Sequence, residues 1–232
     1  MVLNLAAPAA ITVRRVRWQQ ACRIVPTRYP AITLFDRVAD AQDFEALYAL
    51  EALTNERVRD ELGHIESVAP AHRVYGPGSG PIMAAFTHVN TQGSRFSQGH
   101  WGVFYAARER TTAVAETRHH HARFLLATQQ APTHLPMRLY HVGVDARLHD
   151  LRPPGTVADA VYDPNDYSAA RRLGAQLHAA GSAGVVYRSV RQPRGQCVGL
   201  FSPQGASRCL HAAYLLYAWD GARFTDVYEK TA

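Results

Sequence analysis

The spacing of apolar residues changes several times along the chain, and each change marks an element. In DAQDFEALYALEALTNERVRDELG, residues 40–63, Phe44, Leu47, Leu50, Leu53, Val58 and Leu62 recur near helical spacing. Gly63 can stop such a helix in the left-handed conformation, and Thr54-Asn55 is a candidate break. HRVYGPGSGPIMAAFTHVN begins as a strand around Arg73 and passes through a glycine and proline turn into a short apolar segment. WGVFYA is apolar, aromatic and β-prone, which predicts a buried strand. TTAVAETRHHHARFLLA predicts a helix, with Thr111 and Thr112 placed to cap its first turn and Val114, Phe124 and Leu125 supplying part of an inward face.

MRLYHVGVDARLHDL then predicts a strand and its extension. DYSAARRLGAQLHAAG predicts a helix with Asp166 as N-cap and Gly181 as stop. GVVYRSV and QCVGLFS are short strands, and YLLYAWDGARFTDVYEK is a hairpin turning at Asp220-Gly221 through a two-residue type I′ turn. Residues 1–17 lack a periodic pattern and read as a lead-in. The sum is an α+β chain in two parts: a largely helical N-terminal extension over residues 1–68, and a single domain over 69–232.

Composition narrows the classes. At 232 residues with 47% hydrophobic and 19% charged residues, the chain supports one sizeable core and is not disordered. It contains no run long and apolar enough for a membrane span, and its N-terminal arginines follow the apolar stretch, opposite to a secretory signal, so a cytoplasmic location without membrane contact is expected. Cys22, Cys197 and Cys209 are too sparse for a disulfide framework. The net charge of +6 is arginine dispersed along the chain, without a recognition helix, zinc pattern or aromatic RNA platform, which argues against direct nucleic-acid binding.

Some residues could carry chemistry. Arg73 and Arg95 sit beside β-prone residues, where a guanidinium needs a phosphate, a carboxylate or backbone carbonyls to meet its donors. Each therefore reads either as an anion clamp or as half of a structural ion pair. Glu116 falls in an early turn of its helix, where a carboxylate gains from the helix dipole and can face a cleft, although glutamate is also an ordinary solvated helix residue. Tyr105 reads as core or as an aromatic platform, and Ser189 as a strand-end hydroxyl. His119, His120 and His121 point about 100° apart on a helix and cannot converge on one ion, and neither HExxH nor CxxC occurs, so no metal is expected.

The ordered set Arg73, Arg95, Tyr105, Glu116 and Ser189 lies in HRVYG, GSRFSQGHWGVFYAARERTTAVAET and GVVYRSVRQPRGQCVGLFSP, and these segments resemble the RES domain, named for its Arg, Glu and Ser. The likeness spans roughly residues 70 to 205, and RIVPTRYPAITLFDRV with LTNERVRDELG resembles the N-terminal extension of a larger RES subgroup. Many RES domains carry Trp-Asn after the second arginine, whereas Phe96-Ser97 follows Arg95 here.

The resemblance implies a fold similar to the ADP-ribosyltransferase toxins, with central mixed or antiparallel sheets and flanking helices. It implies a toxin that degrades NAD⁺ by hydrolysis or phosphorolysis, with NAD⁺ as substrate and no separate cofactor, restrained by a cognate Xre-type antitoxin. A second copy of the chain is a further candidate partner. Under this resemblance Glu116, Arg73 and Ser189 are catalytic, and Arg73, Arg95, Tyr105 and Ser189 hold the dinucleotide: the arginines at the pyrophosphate, Tyr105 at the nicotinamide riboside, Ser189 near the reacting ribose. A mono-ADP-ribosyltransferase using the same pocket, for which Glu109 would be the additional acid, and a non-catalytic binding module are the rival expectations.

Overall fold

Seven strands form the frame of the protein, seen in a computed structural model that describes residues 11–29, 32–54 and 62–230. They are β1 (Val13–Pro26), β2 (Phe104–Ala107), β3 (Thr133–Asp150), β4 (Gly184–Arg188), β5 (Gln196–Leu200), β6 (Ala206–Trp219) and β7 (Phe224–Lys230). Their order is β1-β2-β5-β4-β3-β6-β7, and β1 also pairs with β3. The first five in that order thus close on themselves, while β6 and β7 continue past β3. The β3–β4 pair is parallel, with His149 opposite Val185, and the other pairs among the described residues are antiparallel.

Helices cover both faces. The helices α1 (Ala41–Thr54) and α2 (Gly80–Thr87) lie on one side, α3 (Arg110–Ala127) and α4 (Ser168–Ala179) on the other. Strand alternation sorts the core accordingly. Val185, Tyr187 and Cys197 pack toward α3 and α4 with Ala113, Leu125, Leu173 and Leu177. Val186 and Val198, one residue along, pack toward α1 and α2 with Phe44, Ile82 and Phe86.

From Val13 onward the expected lead-in is a strand, while residues 1–10 lie outside the described part. β1 pairs with β3 from Val13 opposite His149 to Pro26 opposite Met137 and forms an integral part of the sheet. A bulge between Trp18 and Ala21 shifts its alternation, so that Val16 and Ala21 share one core layer while Cys22 and Ile24 enter the other. Helical structure in that region comprises α1, the helical residue Leu62 and short 3₁₀ turns among the described residues. Phe44 and Leu62 are buried as expected, and Gly63 takes φ +65°, while Val58 and the side chains of Leu50 and Leu53 lie outside the described part.

Three further expectations change. Arg73 is not on a strand: it follows the 3₁₀ turn Pro70–His72 with φ −66° and ψ 148°, and the apolar segment after it is α2. Phe124 is 51% exposed, so the inward face of α3 is made of the buried Thr112, Ala113 and Leu125, with the partly buried Val114 and Ala122 packed beside them. The final hairpin exists, but Trp219 pairs with Phe224, which makes residues 220–223 the loop. Its Asp220 side chain accepts the backbone N–H groups of Ala222 (2.8 Å) and Arg223 (2.7 Å), a local carboxylate turn in place of the two-residue type.

Candidate active site

β2 ends at Ala107 and the chain turns through Glu109, extended at φ −117° and ψ 148°, into α3. Neither threonine of that first turn caps it; Thr112 is buried against the loop that leaves β4. Glu116 lies one turn further on the same side, half-buried. The β4–β5 loop comes to meet it. Its closing bond is Ser189 N–H to Gly195 carbonyl at 2.9 Å, and it packs so closely on α3 that a Cβ on Gly195 would stand 2.7 Å from the Thr112 hydroxyl.

Within that loop every capacity of the Ser189 hydroxyl is used. It accepts the backbone N–H groups of Arg191 and Gln192, each at 3.0 Å, and donates to the Glu116 carboxylate at 2.6 Å. A bond this short is typical of a hydroxyl on an ionised carboxylate. The layer beneath is neutral: burial, with the nearby Glu116 charge adding to it, holds the Tyr187 hydroxyl and the Cys197 thiol well above their ordinary values. All three cysteines are buried free thiols.

Arg191 ties the loop down from its outer side. Its Nη2 donates to His119 Nε2 at 2.7 Å and also meets the Pro164 carbonyl. His119 is thereby fixed as an acceptor at Nε2, and burial, followed by the charges of Arg191, Arg123 and Arg95, pushes its pKa down to about 4.

Arg95 is only 5% exposed, with its guanidinium 4.3 Å above the Tyr167 ring. Its Nη1 donates to the carbonyls of Val161 (3.3 Å) and Asp163 (3.1 Å), whereas Nη2 is buried without a partner among the described residues. A buried open donor of a fixed cation is a site for an anion's oxygen. Tyr105 stands differently. Its hydroxyl bonds Ser94 Oγ at 2.9 Å and accepts the Phe96 N–H at 3.0 Å, its ring lies against Gly199, and burial raises its pKa to about 12. It fastens the turn that carries Arg95.

The structure thus brings Glu116 and Ser189 into contact, and sets Arg95 and Tyr105 on the same side of the sheet. Arg73 goes elsewhere. Its Nε, Nη1 and Nη2 donate to Val68 O (3.0 Å), Glu45 Oε1 (3.2 Å) and Ile65 O (3.5 Å) respectively, on the α1 side of the sheet. Of the two meanings open to that arginine, this geometry is the structural ion pair.

Sequence reasoning missed Arg191 and His119, because the histidine run was weighed only as a metal site. It also missed the way α4 pins the Arg95 turn. Arg171 donates to the carbonyls of Ser94 and Gln92, each at 2.9 Å, and Gly174 lets Phe96 approach so closely that a Cβ there would stand 2.0 Å from the Phe96 carbonyl oxygen. A lone glycine inside a helical pattern was the available signal.

Beside Ser189 a cleft of about 530 Å³ opens, into which Arg152, Arg188 and Arg194 also face. Among the described residues no helix is long and apolar enough to cross a membrane.

Comparison with known proteins adds to this geometry. The RES domain family model matches residues 70–220, a span that includes Arg73, Arg95, Tyr105, Glu116 and Ser189. A Sinorhizobium fredii (strain NBRC 101917 / NGR234) protein, called uncharacterized protein y4oC, is 27% identical over 212 residues, which cover 89% of this chain and 85% of that one. Among solved structures, the crystal structure of the M. tuberculosis MbcT-MbcA toxin-antitoxin complex aligns with 96% of this chain and 88% of its own at 12% identity and a TM-score of 0.48.

Proposed function

The chain belongs to the RES domain family, and on that premise we propose that it is the toxin of a toxin–antitoxin pair and cleaves the nicotinamide–ribose bond of NAD⁺. The observation that carries the reading is the 2.6 Å contact between Ser189 and Glu116, a carboxylate held between a helix and a loop whose Ser189 lines a basic cleft.

The chemistry asks for little more. The C1′–N bond breaks with its electron pair going to nicotinamide, which leaves as a neutral molecule and needs no proton donor. Positive charge builds on the ribose, and Glu116 opposes it with a fixed negative charge. Water then bonds to C1′ through oxygen and loses a proton to the solvent, or phosphate bonds through an unprotonated oxygen and releases none. Ser189 keeps the acid's orientation, and the open Nη2 of Arg95 is the group we assign to a phosphate oxygen of the dinucleotide. Tyr105 holds the Arg95 turn. Arg73 contributes to the fold that supports the site.

The same reading carries a relationship to the ADP-ribosyltransferase fold, with which a mixed sheet covered by helices on both faces is compatible. It also carries an Xre-type antitoxin as partner and action in the cytoplasm. The transferase alternative gains no support from Glu109, which is the N-cap residue of α3, exposed, and 3.8 Å from Arg108. Seven residues separate it from Glu116, a rise of about 10 Å along the helix.

Incubating the purified chain with NAD⁺, with and without phosphate, and identifying the products by mass spectrometry tests the proposal. Free nicotinamide with ADP-ribose or its 1′-phosphate is expected. Intact NAD⁺ at confirmed folding would sink it, and ADP-ribose attached to protein would turn it toward the transferase.

A further inference from the structure

The cleft beside Ser189 has an unusual charge balance. Its wall includes Arg152, Tyr162, Arg188, Arg194 and Gln196 together with Ser189, and among the described residues no carboxylate lines it. Arg152 is already engaged: Asp150 takes its Nε and Nη2, each at 2.8 Å, and Gln196 Oε1 takes Nη1 at 2.7 Å. The same Asp150 is 3.6 Å from Arg14. One carboxylate therefore serves two arginines, and the charges of Arg188 and Arg194 are left over on the cleft wall.

Both are presented by the loop that carries Ser189. Arg188, the last residue of β4, stacks its guanidinium 4.7 Å above the Tyr162 ring, an arrangement that restrains the plane of the fork. Tyr162 is itself anchored through its hydroxyl to the Leu151 carbonyl at 2.8 Å. Arg194 adopts φ +61°, a conformation a non-glycine residue seldom holds without cause, and the closely packed Gly195 beside it fixes the loop against Thr112.

We propose that this cleft is a phosphate-binding subsite, in which Arg188 and Arg194 grip a phosphate group while Arg152 and Gln196 form its floor. Two forks around a small concavity, that of Arg188 held over Tyr162, match the oxygens of a phosphate better than they match a single carboxylate. Because Ser189 is at once a wall of the cleft and the partner of Glu116, a phosphate bound there lies next to the acid. The shared chemistry has two sources: a phosphate of the dinucleotide, or free inorganic phosphate. The assignment of the source rests on the NAD⁺ reading, while the anion site itself does not.

The test is calorimetric titration of inorganic phosphate, and separately of pyrophosphate, into the full chain and into an Arg188→Gln/Arg194→Gln double variant whose fold is checked by circular dichroism and melting. Saturable binding by the natural chain, weakened at least tenfold in the double variant, is expected. Repeating the phosphate titration with NAD⁺ present separates the sources: competition assigns the subsite to the dinucleotide, and simultaneous binding assigns it to free phosphate. Phosphate binding without any NAD⁺ binding would retire the NAD⁺ reading and leave the subsite standing. Absence of saturable binding by the natural chain, equal binding by the double variant, or binding of a tetraglutamate peptide in place of both anions would overturn it.

Discussion

Arg191 and His119 meet at 2.7 Å, a bond that adds to the Ser189–Glu116 contact in fastening the loop to the helix. The acid and its hydroxyl partner lie on separate elements, so their 2.6 Å contact depends on the spacing of loop and helix. Arg191 sets that spacing without touching the reacting atoms.

Arg191→Ala is therefore expected to lower NAD⁺ turnover by about tenfold or more through misplacement of a catalytic pair, with a smaller change in KM. The same variant removes the nearest positive charge from His119, so the His119 pKa should rise from about 4 toward the ordinary histidine range. An NMR titration of the ring reads this directly. Altered turnover with an unmoved His119 titration would show that the bond to His119 is not what positions the loop.

Glu116→Gln keeps the size of the side chain and removes its charge, and should cost about 10²-fold or more in turnover at unchanged melting temperature. Ser189→Ala acts differently. It leaves the N–H groups of Arg191 and Gln192 without their acceptor, so a loss of about 1–2 kcal/mol in stability is expected beside the loss of activity. Denaturant melts of both variants, run with the NAD⁺ assay, check the contrast, and turnover close to normal for Glu116→Gln refutes the role given to the acid.

The two arginines named by the family resemblance should part company. Arg73→Ala strips Glu45 and the Val68 and Ile65 carbonyls of their partner, which is expected to cost about 1–3 kcal/mol of stability with NAD⁺ affinity little altered. Arg95→Ala should weaken NAD⁺ binding by about 1.5–3 kcal/mol through the lost charge-assisted bond. Calorimetry on folded variants decides between them. A large affinity loss for Arg73→Ala at unchanged stability would return that residue to the site.

What the sequence made legible follows from periodicity. The strand-to-helix unit through Glu116, the α4 helix and the two short strands around Ser189 carry local signals strong enough to be read from residues alone, and they hold the acid and the hydroxyl. β1 was not legible: Arg14, Arg15 and Arg17 interrupt its alternation, and what accommodates Arg15 and Arg17 is Asp145 on the paired strand, at 2.7 and 3.1 Å, which one segment cannot reveal. The bulge after Trp18 then changes its phase. The surroundings of Arg73 were not legible for a related reason, since its partner Glu45 lies on α1, 28 residues earlier, and a motif does not show which carboxylate will arrive.

Gly174 on α4 offers a test of how tightly the Arg95 turn is held. A methyl group there would stand 2.0 Å from the Phe96 carbonyl oxygen, closer than any real contact, so α4 or the turn must move. Gly174→Ala removes a helix-interior glycine, a change that would otherwise favour the helix. We expect the reverse, a net loss of about 1–3 kcal/mol from overpacking. NAD⁺ affinity should fall in parallel, because Phe96 follows Arg95 directly and shares the turn that Tyr105 and Arg171 hold. Thermal melts showing a stabilised variant would mean that the turn yields easily and is not a rigid support.

The last expectation concerns acid. Burial first, then neighbouring arginines, pushes His119 to about 4, and burial with the charge of Arg28 does the same for His121. In the unfolded chain both titrate near about 6.5. As pH falls from about 6.5 to 4 the unfolded chain takes up protons that the native protein refuses, so stability declines across that window; above it both states are neutral and the pair adds no slope. His149 and His178, also lowered by burial, contribute in the same direction. Asp150, held low chiefly by Arg152, adds its own loss only at more acid pH, once its carboxylate begins to protonate in the unfolded chain. Melting temperature against pH should therefore fall steadily below about 6.5, and the double variant His119→Asn/His121→Asn should flatten the upper part of that decline while leaving its most acid part unchanged. An identical slope in the double variant would mean that these two rings titrate normally, and the packing of α3 against the Ser189 loop would have to be looser than the Arg191 bond indicates.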